Sequence, residues 1–459
     1  MYHMNRSQNQ ATQGQLRREI NLVALIAVMI GMNVGGSLFA LTAIAAGLTG
    51  PSLFIAQIIS AAPILLALIP YLTLSSAIPT TCANYQYAKL FSHPAAVAAW
   101  MTLFVAIPIG ALPLFAVVTA NFVKMLIPAT PVIPTAIVVM TLFYLLNVFG
   151  IKRTAYVQLA TVIILLVALF IFIAPGIPAI ETSNMAPLFT GGVMGFLGAS
   201  ALLFTLLAGG LFGIDIGGEV KSAKLMIPRA LVISMIIVIV LYLLIEVVAV
   251  GVVDWQAFAA GESLGIPAKV FLSGPLLGFF IIGGGILACI TTINLILTLA
   301  GRYALAFAQD GFFPRVFRRI NMRFGTPHWG LTLAYGMSIV TLLINPPLIV
   351  LGQMINFGLL FMITLVLFAA FRLPKKHPEI YAKSKLKFSP KTLAITSLSA
   401  ISINIIFMVI LAYGLMTSEK SKWTFPLFVI AAVAGLIVYF VRKRQLAFIP
   451  KGFELDQEA

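Results

Sequence analysis

Gly31-Met32-Asn33-Val34-Gly35-Gly36-Ser37-Leu38-Phe39 is the stretch whose reading decides the fold. It sits inside an apolar run from about residue 21 to 47, long enough to cross a bilayer as a helix. Three glycines and two small polar side chains interrupt the run halfway. Glycine lets a chain leave helical geometry without steric cost. In lipid a broken helix is tolerated only where protein or a polar cavity satisfies the freed N–H and C=O groups. The break therefore reads as a binding site that the rest of the chain holds and moves.

The surrounding composition supports a membrane setting. Of 459 residues, 61% are hydrophobic and 9% charged, with mean hydropathy +1.07. Soluble domains carry about 25% charged residues, so the chain reads as an all-α polytopic membrane protein. Twelve apolar spans can be counted, at about 21–47, 51–78, 94–122, 131–149, 155–178, 193–217, 229–253, 270–300, 329–345, 347–371, 390–416 and 424–441. The shortest connection is Asn345-Pro346-Pro347, where proline stops one helix and permits the next to start.

With the N-terminus in the cytoplasm, 25 of the 29 Lys and Arg residues fall on the cytoplasmic side. Lys124, Lys269, Lys420 and Lys422 make up the other side. A misplaced span in the middle would mix the two sets. The same distribution accounts for the net charge of +16: these residues set topology and face anionic lipid, so no nucleic-acid partner is expected. Residues 1–15 lack the layout of a cleaved signal peptide, so the first span is expected to be retained. The absence of a long tail or targeting segment points to a plasma membrane. Cys82 and Cys289 offer no disulfide framework or metal-ligand spacing, and no metal or catalytic residue is expected. The basic stretch 372–391 reads as a solvated cytosolic loop.

A second interruption matches the first: Gly209-Gly210-Leu211-Phe212-Gly213-Ile214-Asp215-Ile216-Gly217-Gly218 in the sixth span. Spans 1 and 6 each open a set of five. Glycine-broken segments at corresponding positions of two halves point to a transporter site. Half-helix N-termini present free N–H groups that suit a carboxylate, and carbonyls at half-helix C-termini suit an ammonium group or a cation. An α-amino acid carries both on one carbon. Gly47 and Gly283-Gly284-Gly285, by contrast, read as packing glycines.

These residues resemble the amino acid–polyamine–organocation (APC) superfamily of permeases. Val34-Gly35-Gly36-Ser37-Leu38-Phe39 is similar to the family's I-G-S-G-I-F, with the small residues at 36 and 37 in swapped order. Gly150-Ile151-Lys152-Arg153-Thr154-Ala155 is similar to G-x-K-x-S-A. The stretch from Gly209 through Glu219-Val220-Lys221 and on to Ile227-Pro228-Arg229-Ala230 resembles the pattern with E-V-K-N-P and I-P-R-A, with Ser222-Ala223 in place of N-P. Gly301-Arg302-Tyr303, Gln309-Asp310-Gly311-Phe312-Phe313-Pro314 and Thr326-Pro327 resemble the motif between helices 8 and 9.

The resemblance implies a five-plus-five inverted repeat with discontinuous helices 1 and 6, plus two C-terminal helices. The expected organisation is a cytosolic tail (1–20), repeats at 21–178 and 179–371, a basic loop (372–389), helices 11 and 12 (390–441) and a second cytosolic tail (442–459). It implies alternating access, with helices 1, 2, 6 and 7 moving against the rest. A substrate carboxylate would sit on amides near Gly35, Gly36 and Ser37. Its ammonium would sit on carbonyls near Met32, Asn33 and Phe204 to Leu207. Thr205, Gly209, Gly210, Leu211 and Phe212 would set the side-chain end of the pocket. None of these is charged, which argues for a neutral amino acid. A polyamine or other organic cation would call for acidic residues there, and only Asp215 is near.

Phe204 and Phe212 are candidate aromatic lids. Asp215 and Glu246 are candidates for gating or coupling, because an intramembrane carboxylate is costly and functional by default. Glu219 is expected in a cytosolic ion pair. Proton-coupled relatives place a lysine midway along helix 5 where this chain has Leu165, so that device is missing. A sodium site would draw on helix 1 carbonyls and on Thr291 and Thr292. No cofactor is expected, and the coupling ion, H+ or Na+, is left open.

The rival classes lack their signatures. His3, His93, His328 and His377 lie at or outside span ends, and HExxH, G-x-S-x-G and a catalytic carboxylate pair are all missing. A channel would need a charged ring or a filter loop. A scaffold without transport would have no use for intact breaks.

Overall fold

The computed structural model describes residues 20–80, 82–91, 93–150, 155–215, 217, 220–261, 263–321, 323–417 and 424–442. Glu219, both tails, Lys152, Arg153, Lys420 and Lys422 lie outside the described residues. What is described is helical, with isolated β-bridges and no strand. Among the described residues, eight helical segments are long and apolar enough to cross a membrane, and three shorter apolar helices accompany them.

The first crossing is built in two pieces. Asn21 caps α1 (Leu22–Asn33), its side chain accepting from the Ala24 amide at 2.9 Å. The helix stops at Asn33, Val34 and Gly35 bend away, and α2 (Gly36–Thr49) starts afresh. Then follow α3 (Leu53–Ala77), α4 (Ala83–Phe91) and α5 (His93–Ala106). A π-helical turn at Ile107–Ala111, holding Pro108 and Gly110, joins α5 to α6 (Leu112–Leu126). Next come α7 (Val132–Val148), α8 (Ala155–Gly176) and α9 (Gly192–Ala208).

The second break departs from expectation. A discontinuous helix 6 would resume as a second half-helix after its break. Instead α9 passes into a 3-10 segment, Gly209–Asp215, and among the described residues no α-helical second half follows before α10 (Ala223–Val252). Glycines at 209, 210 and 213 allow the tighter winding, and Gly217 lies flat against Thr80, where a Cβ would be 2.9 Å from both its N and O.

Short α11 (Trp255–Ala260), α12 (Gly265–Phe271) and α13 (Gly274–Phe279) lead to a π-helical turn at Phe280–Ile286 and then α14 (Leu287–Gln309). The three glycines of that turn serve packing. A Cβ on Gly285 would meet the Phe122 ring at 2.6 Å, and one on Gly284 would meet Ala168 and Phe39. Asn345, in the left-handed region at φ 52°, turns the chain between α15 (His328–Ile344) and α16 (Leu348–Lys376), so these are two helices.

The stretch 372–391 is more ordered than a plain loop: α16 runs on to Lys376, and α17 (Pro378–Ala382) follows. The Lys385 amide then donates to Ser76 Oγ at 2.9 Å, strapping the segment to the end of α3. Helices α18 (Pro390–Thr417) and α19 (Thr424–Arg442) complete the chain. Large apolar side chains such as Val138, Phe170 and Val441 are more than 60% exposed. Such residues cover a surface suited to lipid, while small and polar residues collect inside.

Candidate functional site

The two breaks cross one another. A Cβ on Gly209 would lie 2.2 Å from the Met32 carbonyl oxygen, and one on Gly210 would lie 2.4 Å from Asn33 Nδ2. Only glycine admits this approach. The Gly210 amide donates to Asn33 Oδ1 at 2.6 Å. Asn33 is fully buried, and its carbonyl accepts from the Gly35 amide at 2.8 Å and from Tyr242 Oη at 2.6 Å. Tyr242 also donates to the Leu206 carbonyl at 3.3 Å, so one phenol on α10 ties both breaks together.

The other side of the first break rests on α14. The Gly36 amide donates to Thr292 Oγ1 at 2.9 Å, and that hydroxyl donates in turn to the Ala288 carbonyl at 2.8 Å. Thr291 donates to the same carbonyl at 3.0 Å. A Cβ on Gly35 would be 2.3 Å from Thr292 Oγ1, and one on Gly36 would be 2.6 Å from the Phe115 ring. The amides of Gly35 and Gly36, expected to receive a carboxylate, are thus engaged within the protein in this arrangement. Ser37 follows them, buried in the first turn of α2.

The remaining expected residues divide by what they touch. Thr205 is buried beside the second break, and its Oγ1, like Asn33 Nδ2, has no hydrogen-bond partner among the described residues. The Phe204 ring packs edge-on against Phe407 of α18, away from the crossing, so what Phe204 offers the break is backbone. Phe212 is buried in the 3-10 segment. The Leu211 carbonyl accepts from Asn84 Nδ2 at 3.2 Å.

Asp215 is a hub at the far end of the 3-10 segment. Its Oδ1 accepts from the Asn84 amide at 2.8 Å and from Asn84 Nδ2 at 3.1 Å, and its Oδ2 accepts from Tyr303 Oη at 2.9 Å. Its carbonyl accepts from the Cys82 amide at 3.0 Å. Asp215 therefore joins the second break to α14 and to the start of α4. Glu246 lies one turn beyond Tyr242 on α10, fully buried. Leu165 is buried in α8.

Three residues that the sequence did not single out carry much of this arrangement, Tyr242, Asn84 and Asn356, together with Tyr303, which the sequence marked only as part of a motif. Asn356 of α16 splices into α9. Its Oδ1 accepts from the Thr205 amide at 3.0 Å, and its Nδ2 donates to the Leu202 and Gly352 carbonyls at 2.9 Å. It docks α16 onto α9 just before the second break. The available signal was a pair of amides within an apolar span, Gln353 and Asn356 in Gln353-Met354-Ile355-Asn356. A separate open cavity of about 480 Å³ lies between α6, the start of α7 and the α15–α16 turn, lined by Asn121 and Asn345 among others. None of the residues expected at the site lines it.

Two glycine-broken helices, crossing inside an apolar bundle and free of basic side chains where they meet, define a class: a membrane transporter with unwound binding segments. Residues 20–438 match the family model for amino acid permeases. The chain belongs to the amino acid permease family of the APC superfamily. It is 25% identical to the methylthioribose transporter of Bacillus subtilis over 96% of this chain and 97% of that protein. It is 24% identical to the branched-chain amino acid permease BcaP of the same organism, over 95% of each. The aspartate-proton symporter of B. subtilis is 27% identical over 71% of this chain and 67% of its own length. These relatives are transporters and not enzymes.

Proposed function

We propose that this protein is a secondary active transporter, a symporter or exchanger, that moves a neutral amino acid across the plasma membrane by alternating access. The observation that carries the reading is the crossing at Asn33 and Gly210, where the breaks meet with no charged side chain among the residues that form it. Asn33 Nδ2 and Thr205 Oγ1 stand ready as polar contacts. A charged substrate side chain would need a facing charge. In this reading the eight long segments and three shorter helices make twelve spans, because the first segment, Leu22–Ala77, holds two: α1 with α2, and then α3. Spans 1–5 and 6–10 form inverted halves, both termini are cytoplasmic, and α1, α2, α3, α9 and α10 move against the other helices. Carboxylate binding at Gly36 would displace the Thr292 hydroxyl from its amide.

A specific observation supports a second reading. The Gly35 and Gly36 amides already have partners, and the methylthioribose transporter matches along nearly its whole length. A neutral polyol without a carboxylate fits such a site. An organic cation fits less well, since Asp215 is already saturated by Asn84 and Tyr303.

Purified protein in liposomes should take up or exchange a neutral amino acid saturably. A panel of labelled neutral, acidic and basic amino acids, putrescine and methylthioribose separates the readings. It should be run with and without internal substrate, sodium and a pH gradient. Methylthioribose uptake alone would replace the amino acid reading. No signal from any compound with correctly oriented protein would return the chain to a non-transport scaffold.

A further inference from the structure

Ten buried side-chain atoms have no hydrogen-bond partner among the described residues, and five of them belong to Glu246, Gln57 and Ser60. All three side chains are fully buried. Glu246 is on α10, Gln57 and Ser60 on α3, and these two helices pack together.

Their depths agree. The helices run antiparallel, because Gly217 lies against both Thr80, just past the end of α3, and Ile227, in the first turns of α10. Ser60 lies 20 residues before Thr80, and Glu246 lies 19 after Ile227. At about 1.5 Å per residue both sit roughly 30 Å from that common level, with Gln57 about one turn further.

Their faces agree as well. Gln57 and Ser60 continue the buried stripe through Ile64, Ala67 and Tyr71, and Tyr71 Oη donates to Asn84 beside the second break at 2.9 Å. Glu246 follows Tyr242 by four residues, and Tyr242 points at both breaks. The two stripes turn toward the same interior.

Nothing there balances a negative charge. The elements packed against α10 bring Tyr71 on α3, Asp215 in the 3-10 segment, and Lys269 on α12, which is exposed. Glu181 and Asp254, near the outer end of α10, are exposed. The described side chains of α1, α2, α8 and α9 include no titratable group. A buried carboxylate without a cation or a hydrogen-bond donor costs several kcal/mol.

We propose that Glu246 is a proton-binding site of the transport cycle. The carboxyl holds its proton while sealed between α3 and α10. It releases the proton to water when movement of α10 opens the site, leaving a carboxylate that Gln57 and Ser60 solvate. The proton is then the coupling ion. The coupling role rests on the transport reading; occupancy of the site does not.

Infrared spectroscopy of the purified full-length protein, titrated in H2O and D2O with the proton itself as probe, tests occupancy without any substrate. A protonated-carboxyl band should persist at neutral pH, survive in Asp215→Asn and vanish in Glu246→Gln. Its absence from the wild type, or its loss in Asp215→Asn, overturns the proposal even if Glu246→Gln cannot be purified. In liposomes, one pH unit should drive about tenfold accumulation by the wild type at one proton per substrate. Glu246→Gln should only equilibrate substrate, with exchange retained. Equal accumulation by both overturns the coupling role. A failed substrate panel with the band intact removes the amino acid reading and supports the site.

Discussion

Gly209→Ala tests the crossing most directly. The new methyl would lie 2.2 Å from the Met32 carbonyl oxygen and 2.9 Å from its carbon. Both are backbone atoms at the end of α1, so no flexible side chain can yield. Ordinary contact begins near 3.4 Å, so the breaks must part by more than 1 Å. Two bonds span this gap, Gly210 N to Asn33 Oδ1 and Tyr242 Oη to the Asn33 carbonyl, each 2.6 Å long. A retreat of that size takes both towards or past the limit of hydrogen bonding. Each buried group left unpaired costs about 1–3 kcal/mol, so the substitution should cost roughly 2–6 kcal/mol. Even the lower figure lowers the population of the intact crossing about 30-fold. Gly336→Ala on α15 is the control, because a Cβ there meets nothing within 4 Å. The assays are thermal unfolding of detergent-purified protein and uptake of the panel substrate into liposomes. Gly209→Ala protein that melts and transports like Gly336→Ala would refute the claim that the breaks depend on this approach.

Three further substitutions probe the supports. Tyr242→Phe strips the shared donor from the Asn33 and Leu206 carbonyls and should cost about 1–3 kcal/mol; transport should fall about tenfold, read as uptake rate at matched protein amounts. Asn356→Leu removes the side-chain bonds to the Thr205 amide and the Leu202 carbonyl and should lower stability by about 2 kcal/mol, measured by thermal unfolding. Asp215→Ala removes the carboxylate that holds Tyr303 and both the amide and side chain of Asn84, two residues after Cys82, so Cys82 should react faster with a membrane-permeant maleimide although its own bond to the residue 215 carbonyl is kept. Buried Cys289 serves as the slow internal reference. Unchanged Cys82 labelling would show that the Asp215 carboxylate does not hold the chain there.

The supports explain how the site resists collapse. A break inside an apolar bundle leaves peptide groups without helical partners, and each needs another one. Thr292 accepts from the Gly36 amide, Asn33 Oδ1 accepts from the Gly210 amide, Tyr242 donates to two carbonyls, and Asn356 bridges Leu202 and Thr205. Polar side chains from α10, α14 and α16 thus replace the missing helical bonds. Those helices include ones assigned to both the moving bundle and its surroundings. In the proposed alternating-access cycle, contacts such as Thr292 to Gly36 would break and reform as the two parts move, which is where substrate binding would favour one arrangement over another.

The membrane setting, the all-helical class and the positions of both breaks were legible in the sequence alone. They rest on local properties: apolar length, proline stops and clustered glycines act within a few residues of where they stand. The glycines at 35, 36, 209 and 210 marked their own sites, because a missing Cβ signals that something comes close. What comes close was not legible. Only the tertiary structure decided that Met32 meets Gly209, that Thr292 caps Gly36, that Phe204 turns away to Phe407, and that the second break winds on as a 3-10 segment. It alone set Glu246 at the depth of Gln57 and Ser60. The physical reason is that a single Tyr, Asn or Glu in an apolar span reads the same whether it faces a break or a neighbouring helix. Its partner stands dozens to hundreds of residues away in the chain, and packing chooses it.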